Sequence, residues 1–222
     1  MNDYRLVIII PAFNEEATIG MLVSSLKKIG QVLVVDDCSS DNTAIISRSR
    51  GASVISHEFN QGYSSALNTG FNEAFLNLKA NGVITIDGDG EHSVESILDI
   101  ANLLKENKVP LILGIRDKKN RVIENIIGLY IKLRFGISDI FCGVKGYQAN
   151  IFHAKGCFDS NFTIGTELTI GCIKGGINFQ EVRVNTYSRL GKSRFGSGLA
   201  GSFKLLKGII RALDVDPVVL KE

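Results

Sequence analysis

Unbroken apolar runs constrain the fold of this chain more than any other feature. Leu6-Val7-Ile8-Ile9-Ile10, Val32-Leu33-Val34-Val35 and Val83-Ile84-Thr85-Ile86 are rich in β-branched residues and do not alternate with polar ones. Strands of that kind are buried on both faces, as in a parallel sheet. Segments of helical period lie between them: Ile19, Leu22, Val23, Leu26 and Ile29 share one face, and Ser93 to Asn107 is a second amphipathic stretch. Shorter strands are expected at Ala52–Ile55 and Leu111–Gly114. Strand and helix in alternation imply an α/β architecture, with a mostly parallel central sheet and helices on both faces.

Each long run ends in groups suited to a ligand. Pro11-Ala12-Phe13-Asn14-Glu15 follows the first and Asp36-Asp37-Cys38-Ser39-Ser40-Asp41-Asn42-Thr43 the second; Asp87-Gly88-Asp89-Gly90-Glu91-His92 follows the third. Ligands in such sheets bind beyond the carboxyl ends of the strands, so these loops would build one site. Gly88 and Gly90 let the backbone turn between Asp87, Asp89 and Glu91. Carboxylates gathered there repel unless a cation neutralises them, and hard oxygen donors suit Mg²⁺ or Mn²⁺ with phosphate oxygens completing the shell. The competing reading is a solvated acidic turn capping the helix that begins near Ser93, and His92 reads as a polar residue at that helix start. Ser40 or Asp41 is placed to cap a helix running to about Arg50. Gly62, Ala66 and Gly70 put small residues on one side of another helix, where something packs closely.

At 222 residues, 45% hydrophobic and 22% charged, the chain can build one full core. A net charge of +2 offers no basic field for nucleic acid. Cys38, Cys142, Cys157 and Cys172 are scattered, which supports neither a disulfide framework nor a zinc site and fits a reducing cytoplasm. Pro11 and Asn14-Glu15-Glu16 end the first apolar run too early for a signal peptide, and no run reaches bilayer length. A cytoplasmic protein is expected, free or at the cytoplasmic face of the membrane.

The second half is less regular. A basic loop, Asp117 to Arg121, precedes a helix-like stretch to about Phe135. Phe141–Tyr147 and Phe179–Val184 read as strands completing the sheet, and Phe162 to Ile173 holds Glu167 on a helix. Tyr187 to Arg194 is a basic, glycine-containing loop. Leu199 to Leu213 is amphipathic and basic, with Phe203, Leu205, Leu206, Ile209, Ile210 and Leu213 beside Lys204, Lys207 and Arg211. That pattern suits core packing and equally an interfacial membrane helix.

In this order, Pro-Ala-Phe-Asn-Glu, Val-Asp-Asp-x-Ser-x-Asp-x-Thr, Gly-x-x-x-Ala-x-x-x-Gly and Asp-x-Asp resemble the family 2 glycosyltransferases of the GT-A fold, particularly the dolichol-phosphate mannosyltransferase-like branch. The resemblance covers nearly the whole chain and is densest from Leu6 to Asp89. It implies a single GT-A domain over residues 1–222, with 1–116 binding a nucleotide-sugar and 117–222 forming the acceptor side. Pro11, Phe13, Glu15, Val35, Asp37, Asp87 and Gly88 would line the donor pocket, Phe13 standing where Tyr is frequent. Asp87, Asp89 and Glu91 would hold Mg²⁺ or Mn²⁺, Glu91 standing where relatives often have Gln. Arg116, Arg189 and Arg194 would assist the departing diphosphate. The family's Arg-x-x-Gly-x-Ser-Lys loop is here one residue shorter, Arg189-Leu190-Gly191-Lys192-Ser193-Arg194.

The chemistry implied is inverting displacement from a GDP- or UDP-sugar, with Asp89, Glu167 and Arg116 as the catalytic set. A hydroxyl acceptor on a glycan or lipid would need a general base, for which Glu167 is positioned in the family pattern. A polyprenyl phosphate acceptor needs none and would be held by Arg121. Peripheral membrane contact follows from such an acceptor. Two other classes compete. A sugar-phosphate nucleotidyltransferase would want a Gly-rich basic loop after the first strand, where Pro11 to Glu15 is acidic. A non-catalytic nucleotide-sugar-binding protein would bind donor without turnover.

Overall fold

The computed structural model describes residues 4–117, 122–160, 163, 165–187 and 199–220. One seven-stranded sheet contains β1 (Leu6–Ala12), β2 (Gln31–Asp36), β3 (Ser53–Ser56), β4 (Gly82–Thr85), β5 (Leu111–Arg116), β6 (Lys145–Gln148) and β7 (Phe179–Val184). The strand order is β3-β2-β1-β4-β6-β5-β7. All pairs are parallel except those of β6, which runs antiparallel between β4 and β5. The helices are α1 (Ile19–Leu26), α2 (Thr43–Ser49), α3 (Tyr63–Asn72, continued by a π-helical turn over Glu73–Asn77), α4 (Val94–Glu106), α5 (Val122–Phe135), α6 (Ala149–Lys155), α7 (Glu167–Lys174) and α8 (Leu199–Leu213).

The apolar runs are buried on both sides as their lack of alternation requires. Val7 and Ile9 of β1 join one core cluster with Phe71, Ile131 and Ile209, while Ile8 and Ile10 join the other with Leu22, Val23 and Ile97. Each such Ile contributes about 1.5–3 kcal/mol by leaving water. The small residues of α3 have the reason expected of them. A Cβ on Gly70 would stand 2.5 Å from Ile9 Cγ2, so only glycine lets α3 lie this close to β1. At α4, Ser93 caps the helix by accepting the Ser96 amide at 3.2 Å. The α2 cap is neither Ser40 nor Asp41 but Asn42, with the helix starting at Thr43 and Asp41 accepting the Thr43 amide at 2.9 Å.

The strand expected over Phe141–Tyr147 begins only at Lys145. Upstream the chain bends away from the ladder, where the Thr85 hydroxyl donates to the Gly143 carbonyl at 2.7 Å. That bend brings Gly143 to the end of β4. The chain leaves β1 toward β2 and β3, then crosses to β4 on the other side. A crevice therefore opens where the order reverses, beyond the carboxyl ends of β1 and β4.

Candidate active site

The loops after β1, β2 and β4 are laced together at that crevice. The Asn14 amide donates to Ser39 Oγ at 2.8 Å, and the Glu15 amide to Thr43 Oγ1 at 2.7 Å. Ser40 donates its amide to Asn14 Oδ1 at 2.7 Å. The buried Thr18 hydroxyl ties the first loop to the third, donating to the Gly88 carbonyl at 2.7 Å. Pro11 and Glu15 both lie against Gly88: a Cβ there would meet Glu15 Cγ at 3.3 Å and the Pro11 carbonyl at 3.4 Å. Phe13 stands at the lip, 37% exposed.

Asp87 and Asp89 sit at the centre. The Asp87 side chain is 32% exposed and is held from two sides, by the Tyr63 hydroxyl at 3.1 Å and by His92 Nε2 at 3.5 Å. Burial acts to raise its pKa, but the hydrogen bond and charge of His92, with lesser help from Tyr63 and Arg116, outweigh it and hold the carboxyl below its ordinary value. Gly143 forms the third wall: a Cβ there would fall 2.2 Å from Asp87 Oδ2. Asp89 is buried, and its Oδ1 accepts the Glu91 amide at 3.0 Å, which fixes the turn. The Glu91 carbonyl accepts the Tyr187 amide at 2.7 Å, and His92 pairs with Thr186. Residues 185–187 thus lie alongside the acidic turn.

The other expected residues fall in different settings. Val35 is fully buried beneath α3. Both Asp37 oxygens are engaged, accepting the amides of Gln61 at 2.8 Å and Gly62 at 2.7 Å, with His57 Nδ1 at 2.7 Å. Asp37 thereby fastens the start of α3. Arg116 gives its guanidinium to Asp139 at 2.8 and 3.0 Å and to Glu124 at 3.1 Å. Burial works to lower its pKa, yet the Asp139 contacts prevail and raise it. Glu167 is fully buried, bonded to Lys155 Nζ at 2.6 Å and to Ser160 through its amide at 2.9 Å and its hydroxyl at 2.6 Å. Burial there favours the neutral acid, but the Lys155 and Ser160 hydrogen bonds win and lower its pKa. Arg121, Arg189 and Arg194 lie outside the described residues.

Four residues of this neighbourhood were not among the expected site residues, although Gly143 and Lys145 lie in the Cys142–Tyr147 segment that resembles the family's Ser-Gly-Phe-Arg element beside the acceptor site. Tyr63 and Gly143 meet Asp87 across long stretches of chain, 24 residues in the case of Tyr63. His57 bridges Asp37 and the Thr69 hydroxyl, the latter at 3.0 Å. Lys145 is buried on β6, donating to the Gly165 carbonyl at 2.9 Å, and burial pushes its pKa down to about 8. Among the described residues no three His, Cys, Asp or Glu side chains gather into a metal cage. Asp87 and Asp89 nonetheless suit Mg²⁺ or Mn²⁺, because those ions commonly take one or two carboxylates and complete their shell with substrate phosphate oxygens and water.

Comparison with known proteins agrees with this geometry. The pattern of glycosyl transferase family 2 matches residues 7–158. An uncharacterized protein of Methanocaldococcus jannaschii is 30% identical over 95% of this chain and 93% of its own length. A UDP-N-acetylglucosamine–dolichyl-phosphate N-acetylglucosaminyltransferase of Methanococcus voltae is 28% identical over 57% of each chain. Among solved structures, glucosyl-3-phosphoglycerate synthase of Mycobacterium tuberculosis, in complex with Mn²⁺, UDP and phosphoglyceric acid, superposes with a TM-score of 0.77 at 16% identity, covering 96% of this chain and 80% of that one. That likeness identifies the mixed sheet as the GT-A fold. With the family matched over most of its length and the acidic turn at the switch point, the chain belongs to glycosyl transferase family 2 and is a glycosyltransferase.

Proposed function

We propose that the enzyme transfers a sugar, with inversion and with help from a divalent metal, from a nucleoside-diphosphate sugar to an ionised lipid phosphate. The observation that carries the donor side is the pair Asp87 and Asp89 at the carboxyl end of β4, braced by Tyr63, His92 and Gly143. Asp87 and Asp89 would hold Mg²⁺ or Mn²⁺, with Glu91 beside them; bound there, the ion would neutralise charge on the departing diphosphate. Phe13 at the lip and Pro11 and Glu15 against Gly88 would flank the nucleotide, with Val35 and Asp37 shaping the pocket from below. In the family pattern Arg189 and Arg194 would serve the same diphosphate; they follow Tyr187 in the sequence, whose amide donates to the Glu91 carbonyl. Arg116, engaged by Asp139 and Glu124, would act by holding the walls of the site in place.

The state of Glu167 favours the phosphate acceptor. A general base needs reach to the acceptor and a pKa near the working pH. Glu167 is enclosed, neutralised by Lys155 and held below its ordinary pKa. A phosphate nucleophile is already ionised and needs no base. The name of the Methanococcus voltae relative, which specifies dolichyl phosphate, supports the same acceptor class. Arg121 would hold that phosphate.

The test is transfer from GDP- and UDP-sugars to a polyprenyl phosphate, with Mn²⁺ or with chelator. Glu167→Gln is expected to keep kcat within about threefold, whereas loss of a general base costs 10²–10⁴-fold. A hundredfold fall in a folded Glu167→Gln protein would return the base to Glu167 and point to a hydroxyl acceptor. Because the folded pKa of Glu167 is depressed, its stabilisation is present above the unfolded value of about 4.3 and is lost as pH falls through the folded value. Acid unfolding of Glu167→Gln should accordingly be less steep. Gly143→Ala should lower kcat/KM about 10- to 100-fold, since its Cβ must displace the Asp87 carboxylate. Unchanged kinetics would remove Asp87 from the site.

A further inference from the structure

Helix α5 is apolar on two opposite sides, and only one of them is used by the core. Ile127 and Ile131 point into the core cluster shared with α8. On the far side, Ile126, Leu129, Tyr130 and Leu133 are 63%, 61%, 51% and 80% exposed. Their spacing of three, four and seven residues puts them in one stripe along the helix. Exposed Lys132 and Arg134 flank that stripe, one on each side at the helical period of 3.6. The acid of α5, Glu124, is buried against Arg116, so the outer face carries only positive charge. On the same side of the sheet, α8 exposes Leu206 and Ile210 next to Lys207 and Arg211 and has no acidic residue from Leu199 to Leu213.

A contiguous apolar stripe exposed to water marks an interaction surface. We propose that the outer face of α5, together with the exposed residues of α8, docks the protein onto an anionic lipid surface. Leu129, Leu133, Ile126 and the Tyr130 ring would enter the boundary between headgroups and acyl chains. Lys132 and Arg134 have stems long enough to reach back to the phosphates on either side. A second copy of the chain fits less well: pairing two α5 stripes would bring basic flanks together with no acid to oppose them.

The test is sedimentation of the full-length protein with vesicles of phosphatidylcholine alone and of phosphatidylcholine mixed with phosphatidylglycerol. Neither donor nor acceptor is present, so the result stands apart from the transferase reading. Binding is expected to the anionic vesicles and to weaken with salt. Leu129→Gln combined with Leu133→Gln should lower the partition coefficient about tenfold or more with the melting temperature unchanged, since both side chains are exposed. Lys132→Gln with Arg134→Gln should remove most of the salt dependence. Wild-type protein left in the supernatant, or equal binding by the leucine variant, would overturn the proposal. A concentration-dependent dimer abolished by the leucine variant would assign the stripe to a second copy instead.

Discussion

Replacing Asp89 by alanine is expected to cut sugar transfer about 10³-fold or more while leaving the protein folded. The expected cost to the fold is modest: the Glu91 amide bond that Asp89 accepts is worth about 1 kcal/mol. The cost to catalysis is expected to be large because, in the proposed mechanism, the carboxylate would help hold the ion that neutralises the departing diphosphate. Asp89→Asn separates the two roles. Its carbonyl oxygen can still accept the Glu91 amide, so the turn survives, but its charge is gone. Transfer by Asp89→Asn should fall about 10²-fold or more, and chelator should bring the wild type to a similar rate. Activity within tenfold of wild type would mean that the carboxylate charge is not needed, and the metal-assisted reading would go with it.

The loops that gather at this crevice were legible because their signals are local. An apolar strand, its end and the acids or glycines that follow occupy a few consecutive residues, and parallel strand direction places all such ends at one edge. Asp87, Asp89, Glu15 and Gly88 come together for that reason. What failed to show in the sequence depends on side chains meeting across the fold. Nothing near Tyr63 announces its bond to Asp87, and nothing near Arg116 announces that Asp139 and Glu124 will claim its guanidinium. Glu167 looks available on a helix start until Lys155 and Ser160 close over it. Strand β6 is four residues long with Lys145 and Gln148 at its ends, so its place between β4 and β5 is decided by tertiary pairing rather than by its own pattern. Helix α5 runs to Phe135 as its stretch implies, but with apolar residues on both sides its pattern does not mark which face the core takes.

Phe71→Ala is expected to destabilise the whole protein by about 3–5 kcal/mol, a fall of roughly 10 °C in melting temperature. Phe71 is fully buried on α3, with its ring centroid 4.4 Å from Phe158, 5.4 Å from Tyr147, 5.8 Å from Phe75 and 6.0 Å from Phe152. Phe71 and Phe75 come before residue 116, while Tyr147, Phe152 and Phe158 lie beyond it, so the ring cluster joins the first and second halves of the sequence. Polar contacts reinforce the junction: the Ser64 hydroxyl donates to Asp159 at 2.6 Å, and Asn68 Oδ1 accepts the Phe158 and Asp159 amides, each at 3.0 Å. The same helix that carries Phe71 begins at Tyr63, which holds Asp87, so loosening it should also weaken donor binding before the protein melts. If residues 1–222 fold as one domain, urea unfolding followed by fluorescence and by circular dichroism will give one coincident transition, displaced without a change of slope in Phe71→Ala. Two separated transitions, or a loss confined to one of them, would mean that the halves are independent and that the aromatic cluster does not bind them together.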